Sequence, residues 1–428
     1  MEPYMQRLAR SRRELLATGA VASAVAGCAL PREDASPAGR GELTFEGVSA
    51  SFAERARTVA DRVTDLSGNA IAEETTVRLI DPAEMRERGR NWTVIGATTT
   101  QRLAHRALGL VESLEADVGF EFAGAYYPGS RTLLLVGDED DIDDQLLAHE
   151  LCHAVQFQST TLADLDRSWA AGFDTQAARQ ALVEGTAQYL EDEYVGGCGG
   201  DFSNCHLSTP GPIALDRLDP ALLLAYGAYC NGHDFAAALA EREGWRSIWA
   251  AHENPPTSTG QILRPEWYPD REPVDVAAPD EPPAPWSRLD TERLGMQSVF
   301  LALWHAGVLP VVAAYPRGQS AEDEVFSDLV RYRSPVSDAW RGDAFTAFER
   351  ADGRFGWRWR IRWASPSAAE TGYEHFRERT DARGEPTDES EVWTRDDRYE
   401  ALTLDDEALV VASAPDPEAF ELFSPAFR

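Results

Sequence analysis

The chain has 428 residues, enough for two domains, and sets 72 acidic residues against 40 basic ones for a net charge of −32; every basic residue is arginine. So acidic a surface excludes nucleic acid as a partner, because phosphate binding needs a cationic stripe. At 43% hydrophobic and 10% aromatic, the chain is too apolar for an acidic disordered protein. An acidic, lysine-free surface instead suits a protein kept soluble at molar salt, where the Debye length is about 3 Å and self-repulsion is screened.

In chain order, Ser11-Arg12-Arg13-Glu14-Leu15-Leu16 matches a twin-arginine export signal. Residues 15–27 form an apolar, small-residue stretch too short to span a bilayer. Val25-Ala26-Gly27-Cys28 then reads as a lipobox, with Cys28 lipidated and becoming the mature first residue. These features imply a leader over 1–28, a tether over 29–45, and a protein at the outer face of the cytoplasmic membrane, touching lipid only through its anchor. Residues 53–65 have a helix-like pattern, and Thr75-Thr76-Val77-Arg78-Leu79-Ile80 a strand-like one. Asn91-Trp92-Thr93 is a glycosylation sequon. Tyr126-Tyr127-Pro128-Gly129-Ser130-Arg131 reads as a turn before a strand at residues 132–136, whose edge can pair with an extended peptide.

His149-Glu150-Leu151-Cys152-His153 carries the most chemistry. Two imidazoles four residues apart on a helix point the same way and can grip one zinc ion, with Glu150 between them placed to act on water as a general base. The acidic run at residues 141–144 suits a helix start, and Leu147, Leu151 and Ala154 form an apolar stripe that leaves His149, His153 and Gln156 on the opposite face. A catalytic zinc wants a third protein ligand and an open position. Glu184, on a second helical pattern over residues 181–190, is the candidate, flanked by the small Gly185 and Ala187. Gln188, one turn on, could orient a ligand histidine from behind. Glu191 and Glu193 flank Asp192 in a run that reads as solvated.

His149-Glu150-Leu151-Cys152-His153-Ala154-Val155-Gln156 followed by Leu182-Val183-Glu184-Gly185-Thr186-Ala187 resembles the gluzincin type of zinc metallopeptidase, in particular a group of secreted prokaryotic proteins with HEL-x-HA-x-Q and EG-x-A motifs. Tyr229-Cys230-Asn231-Gly232-His233-Asp234-Phe235 and the stretch 254–265 resemble two further segments of that group. Gly260 and Arg264 depart from it, standing where an acidic residue and a histidine are expected. The resemblance implies His149, His153 and Glu184 as zinc ligands, Glu150 as general base, and a peptidase-like fold over about 46–268. It also brings the Tyr229 segment near the site, making Tyr229 a candidate hydrogen-bond donor to an oxyanion. His233 and His252 are read as packing or local hydrogen-bonding residues.

Cys198 and Cys205 bracket a short loop and, outside the membrane, are expected to form a disulfide; a second bridge between Cys152 and Cys230 would staple two elements. Six prolines between residues 269 and 285 mark a linker over 269–290. Beyond it, residues 294–304 read as a buried helix. Phe355, Trp357, Trp359, Ile361 and Trp363 alternate with Arg358, Arg360 and Arg362, a strand with an aromatic face over a helix at 368–379. Strands near 392–402 and 408–412 follow, and Arg341-Gly342-Asp343 reads as a turn.

The expectation is therefore a mixed α+β protein: a zincin-like catalytic domain followed by a smaller carboxy-terminal α/β domain over 291–428. Its function would be zinc-dependent hydrolysis of a peptide or protein substrate outside the cell. The alternative is a non-catalytic surface lipoprotein that keeps the zincin fold to bind a partner or wall polymer.

Overall fold

Apolar alternation in Thr75–Ile80 and the unbroken leucines of Thr132–Val136 make the two strands around which the amino-terminal half assembles. The computed structural model describes residues 41–89, 98–116, 123–160, 172–208, 220–309, 331–395 and 398–423. The leader with Cys28 and the Asn91 sequon lie outside the described residues. Strand β1 (Leu43–Glu46) pairs parallel with β2 (Thr75–Ile80), so the fold begins inside the expected tether. Helix α1 (Ala50–Ser67) crosses between them, capped by Ser49, and ends at Gly68 in the left-handed region (φ 73°). Helices α2 (Pro82–Gly89) and α3 (Thr99–Leu108) follow. Strand β3 (Gly124–Tyr127) forms one sheet edge, antiparallel to β4 (Thr132–Val136), which pairs parallel with β2 on its other side, so β4 lies inside the sheet and the edge expected of it belongs to β3 instead. Tyr126 and Tyr127 thus belong to a strand, and the expected turn begins only at Pro128.

Helix α4 (Asp144–Ser159) starts where the acidic run allows it, with the Asp143 carboxylate accepting the Leu146 N–H at 2.9 Å. It is not two-faced as its stripe suggests. Every residue from Asp144 to Gln156 is buried, because α1, the sheet and α5 (Phe173–Cys198) cover it from several sides. Helix α6 (Leu223–Glu243) crosses α5 in backbone contact: a Cβ on Gly185 would sit 1.9 Å from the Gly232 carbonyl carbon. Only glycine permits that approach. Helices α7 (Trp245–Glu253) and α8 (Thr259–Leu263) complete this half.

The expected disulfide between Cys198 and Cys205 is formed. The second bridge is not: Cys152 on α4 and Cys230 on α6 are buried thiols, and α5 packs on both helices.

The carboxy-terminal half is built on seven strands in the order β5-β6-β7-β11-β10-β9-β8, spanning Trp286–Glu292, Trp340–Arg350, Phe355–Trp363, Ala408–Ala414, Arg398–Asp405, Val392–Arg395 and Glu385–Pro386. Every pairing is antiparallel, so this half is α+β in character, not the α/β layout expected. The end of the expected linker is strand β5. The part before it is packed, with Val274 N donating to the Arg341 carbonyl at 2.7 Å and Pro282 buried. Arg341-Gly342-Asp343 lies within β6, not in a turn, because a bulge after Trp340 turns the Asp343 carboxylate inward.

On β7 the aromatic face is buried, as expected, with Trp359 edge-on to Phe376 of α10 (Pro366–Arg383). On the other face Arg360 and Arg362 pair with Asp405 and Glu407. Helix α9 (Gly295–Trp304) packs on α6, α8, α10 and β6, and one contiguous core runs from Leu43 to Val411. Arg379 of α10 ties the halves further, donating to the Ala107 carbonyl of α3 and to Glu400. Among the described residues no helix is long and apolar enough to cross a membrane.

Candidate functional site

Spacing of four residues on α4 sets the His149 and His153 rings edge to face on one side of the helix, centroids 4.8 Å apart. Glu184 of α5 enters from the opposite side. Its Oε2 lies 3.4 Å from His149 Nε2 and 3.7 Å from His153 Nε2, and one donor atom from each of the three residues falls within 4.8 Å of the others. All three residues are at most 3% exposed. Neither Glu184 oxygen nor His153 Nε2 has a hydrogen-bonding partner among the described residues. Buried polar atoms are rarely left this way. Two imidazoles and a carboxylate converging in this way could hold a divalent metal ion.

Glu150 sits one residue round the helix and is also buried. Its side chain occupies the space over Gly124 of β3, where a Cβ would come within 2.8 Å of the Glu150 Cγ. The glycine at the start of the edge strand thereby makes the pocket in which this carboxylate lies beside the histidine pair. Tyr229 of α6 lies with its ring nearly parallel to that of His149, centroids 6.1 Å apart. His233 lies apart from the group, on the Asp192 carboxylate at 3.0 Å.

Two partners stand behind the imidazoles, Glu191 and Gln156, of which the sequence placed only Gln156 on the histidine face. Gln188, expected to orient a histidine, reaches toward Asp192 instead, at 3.5 Å. Glu191, expected to be solvated, is 1% exposed, with Oε2 at 3.4 Å from His149 Nδ1. The reason is periodicity: seven residues are close to two helical turns, so Glu191 repeats the inward face of Glu184. Behind His153 is Gln156, whose Oε1 is 2.7 Å from Nδ1.

Burial alone pushes the His149 pKa down. Glu184 and Glu191, one at each ring nitrogen, override it and hold the value at about 10. Burial likewise pushes Glu184 up, and His153 and His149 override it, bringing the carboxyl to about 2. In the metal-free chain this cluster holds its proton on imidazole.

Residues 285–423 match the model of a domain of unknown function (DUF8575), a stretch that covers the seven-stranded sheet and leaves the histidine pair and its partners outside. No curated protein and no solved structure matches the chain.

Proposed function

We propose that the protein is a zinc-dependent peptidase of zincin type, with His149, His153 and Glu184 as metal ligands and Glu150 as general base. The observation that carries this reading is the buried, converging donor set with open lone pairs, and a second buried carboxylate immediately beside it. A bound zinc ion would supply Lewis acidity to the attacking water and the scissile carbonyl. Glu150 would take the proton from that water and deliver it to the leaving amine. The edge of β3, which starts at Gly124 beside Glu150, offers backbone groups to an extended peptide. The Tyr229 ring buttresses the His149 imidazole, and its hydroxyl is the candidate donor to the oxyanion.

A second reading draws on the depth of the group: a metal buried this far could staple the fold of a non-catalytic surface protein. A structural site has no use for a base such as Glu150, which favours the enzyme. Glu150→Gln separates the two. Retained zinc with peptide hydrolysis lowered roughly 10²–10⁴-fold supports the peptidase, and unchanged hydrolysis overturns it. The setting we propose is the outer face of the membrane, held through a lipid on Cys28. Cys28→Ser then releases the protein from the membrane fraction, and unchanged association contradicts the anchor.

A further inference from the structure

Gln156 makes three contacts whose directions can be worked out. Its Nε2 is 2.8 Å from the carbonyl oxygen of Val183 and 3.2 Å from Nε2 of His252, and its Oε1 is 2.7 Å from Nδ1 of His153. A backbone carbonyl only accepts, so the group facing Val183 is the amide NH2. The His252 ring is fixed in the same way: Nδ1 lies 3.0 Å from the Ile248 carbonyl and must donate to it, which leaves Nε2 as an acceptor for the second amide hydrogen. His252 is fully buried on α7, and burial, ahead of a backbone hydrogen bond that opposes it and the nearby His153, lowers its pKa to about 4, so the ring is neutral and accepting at ordinary pH.

Both amide hydrogens are therefore committed. Turning the amide over would set its carbonyl oxygen against two acceptors at once. Held this way, Oε1 faces His153 and requires a proton on Nδ1, so that in the neutral ring Nε2, 3.7 Å from Glu184 Oε2, is the nitrogen that carries the lone pair.

We propose that His252 is a positioning residue: it locks the Gln156 amide and, through it, the tautomer of His153 that presents Nε2 to a divalent metal. The inference rests on the reading of His153 as a metal ligand. The same amide holds the carbonyl of Val183, next to Glu184, so one side chain sets two of the three ligands in register. His252 touches neither metal nor substrate in this account.

The test is titration of the metal-free full chain with Co2+, followed by visible absorption. Wild-type protein takes up one equivalent. His252→Met fills similar volume without an acceptor and weakens cobalt binding roughly 10–100-fold, with an altered ligand-field spectrum. His252→Gln restores an acceptor near the position of Nε2 and recovers both affinity and spectrum. His252→Met adds nothing further in a Gln156→Met background. Cobalt binding by His252→Met with wild-type affinity and spectrum overturns the relay, as does an equal weakening with and without Gln156. Should His252→Met fail to fold, Gln156→Met alone carries the test, and wild-type cobalt affinity in that variant overturns the proposal. Failure of the wild type to bind cobalt at all removes the metal reading itself, and the relay with it.

Discussion

Two carboxylates, one in each half of the molecule, are buried to nearly the same extent and treated in opposite ways. Asp343 in the carboxy-terminal sheet is 4% exposed and accepts four hydrogen bonds, from Leu294 N, Gly295 N, Trp340 Nε1 and Trp359 Nε1, at 2.8 to 3.0 Å. Glu184 is 1% exposed and faces two imidazoles with neither oxygen hydrogen-bonded among the described residues. Burial raises Asp343 to about 6 even with those hydrogen bonds opposing it, whereas the histidines bring Glu184 to about 2 against the same desolvation. The lesson is that burial of a charge does not identify a site. The one at Asp343 is spent on holding β6, β7 and the start of α9 together. The one at Glu184 is left with lone pairs to give.

The widest separation comes from crossing the two substitutions. Glu184→Ala should lose metal by more than the roughly 10–100-fold that partners behind a ligand cost, while the chain stays folded. Asp343→Ala should do the reverse, losing about 3–4 kcal/mol of stability by stranding four buried donors and leaving metal affinity of the folded fraction unchanged. Metal content and denaturant unfolding of both variants check this, and equal effects on both measurements erase the distinction.

A smaller effect sharpens the metal side of the comparison. Glu191→Ala removes the carboxylate at His149 Nδ1 and should weaken metal binding roughly 10–100-fold without removing a ligand. Affinity equal to wild type would return Glu191 to the solvated role that its acidic neighbours suggest.

The smallest effect is in protons. With the folded pKa of His149 raised from 6.5 to about 10, the metal-free protein gains stability from that proton that is complete below about pH 6.5 and lost as pH rises through about 10. A metal must displace the proton, so binding near pH 8 should release about one. Calorimetry in buffers of different ionisation enthalpy measures it. Absence of release would mean that His149 is neutral before the metal arrives.

That His149, His153 and Glu184 come together was legible in the sequence: four residues on α4 give a shared face, and Glu184 with small neighbours gives a helix that can lie close. What lies behind the ligands was harder to read. Glu191 sits in a run of three acids whose composition suggests water, and only the seven-residue interval from Glu184 betrays its inward direction. His252 is 96 residues from Gln156, and no local pattern announces a partner at that distance. In the fold, the aromatic alternation of β7 and the disulfide at Cys198–Cys205 followed from local chemistry. The parallel or antiparallel sense of the second sheet did not, because it depends on which strands meet. Asp343 looked like a turn residue because Gly-Asp is turn chemistry, and tertiary burial of a bulged strand outweighed that preference.

The most direct test of the central claim is elemental analysis of the purified wild-type chain after dialysis against zinc and then zinc-free buffer. One zinc per chain, falling to none in Glu184→Ala and holding at one in Glu150→Gln, is the expected result. A full equivalent of zinc in Glu184→Ala, or none in the wild type, contradicts the account.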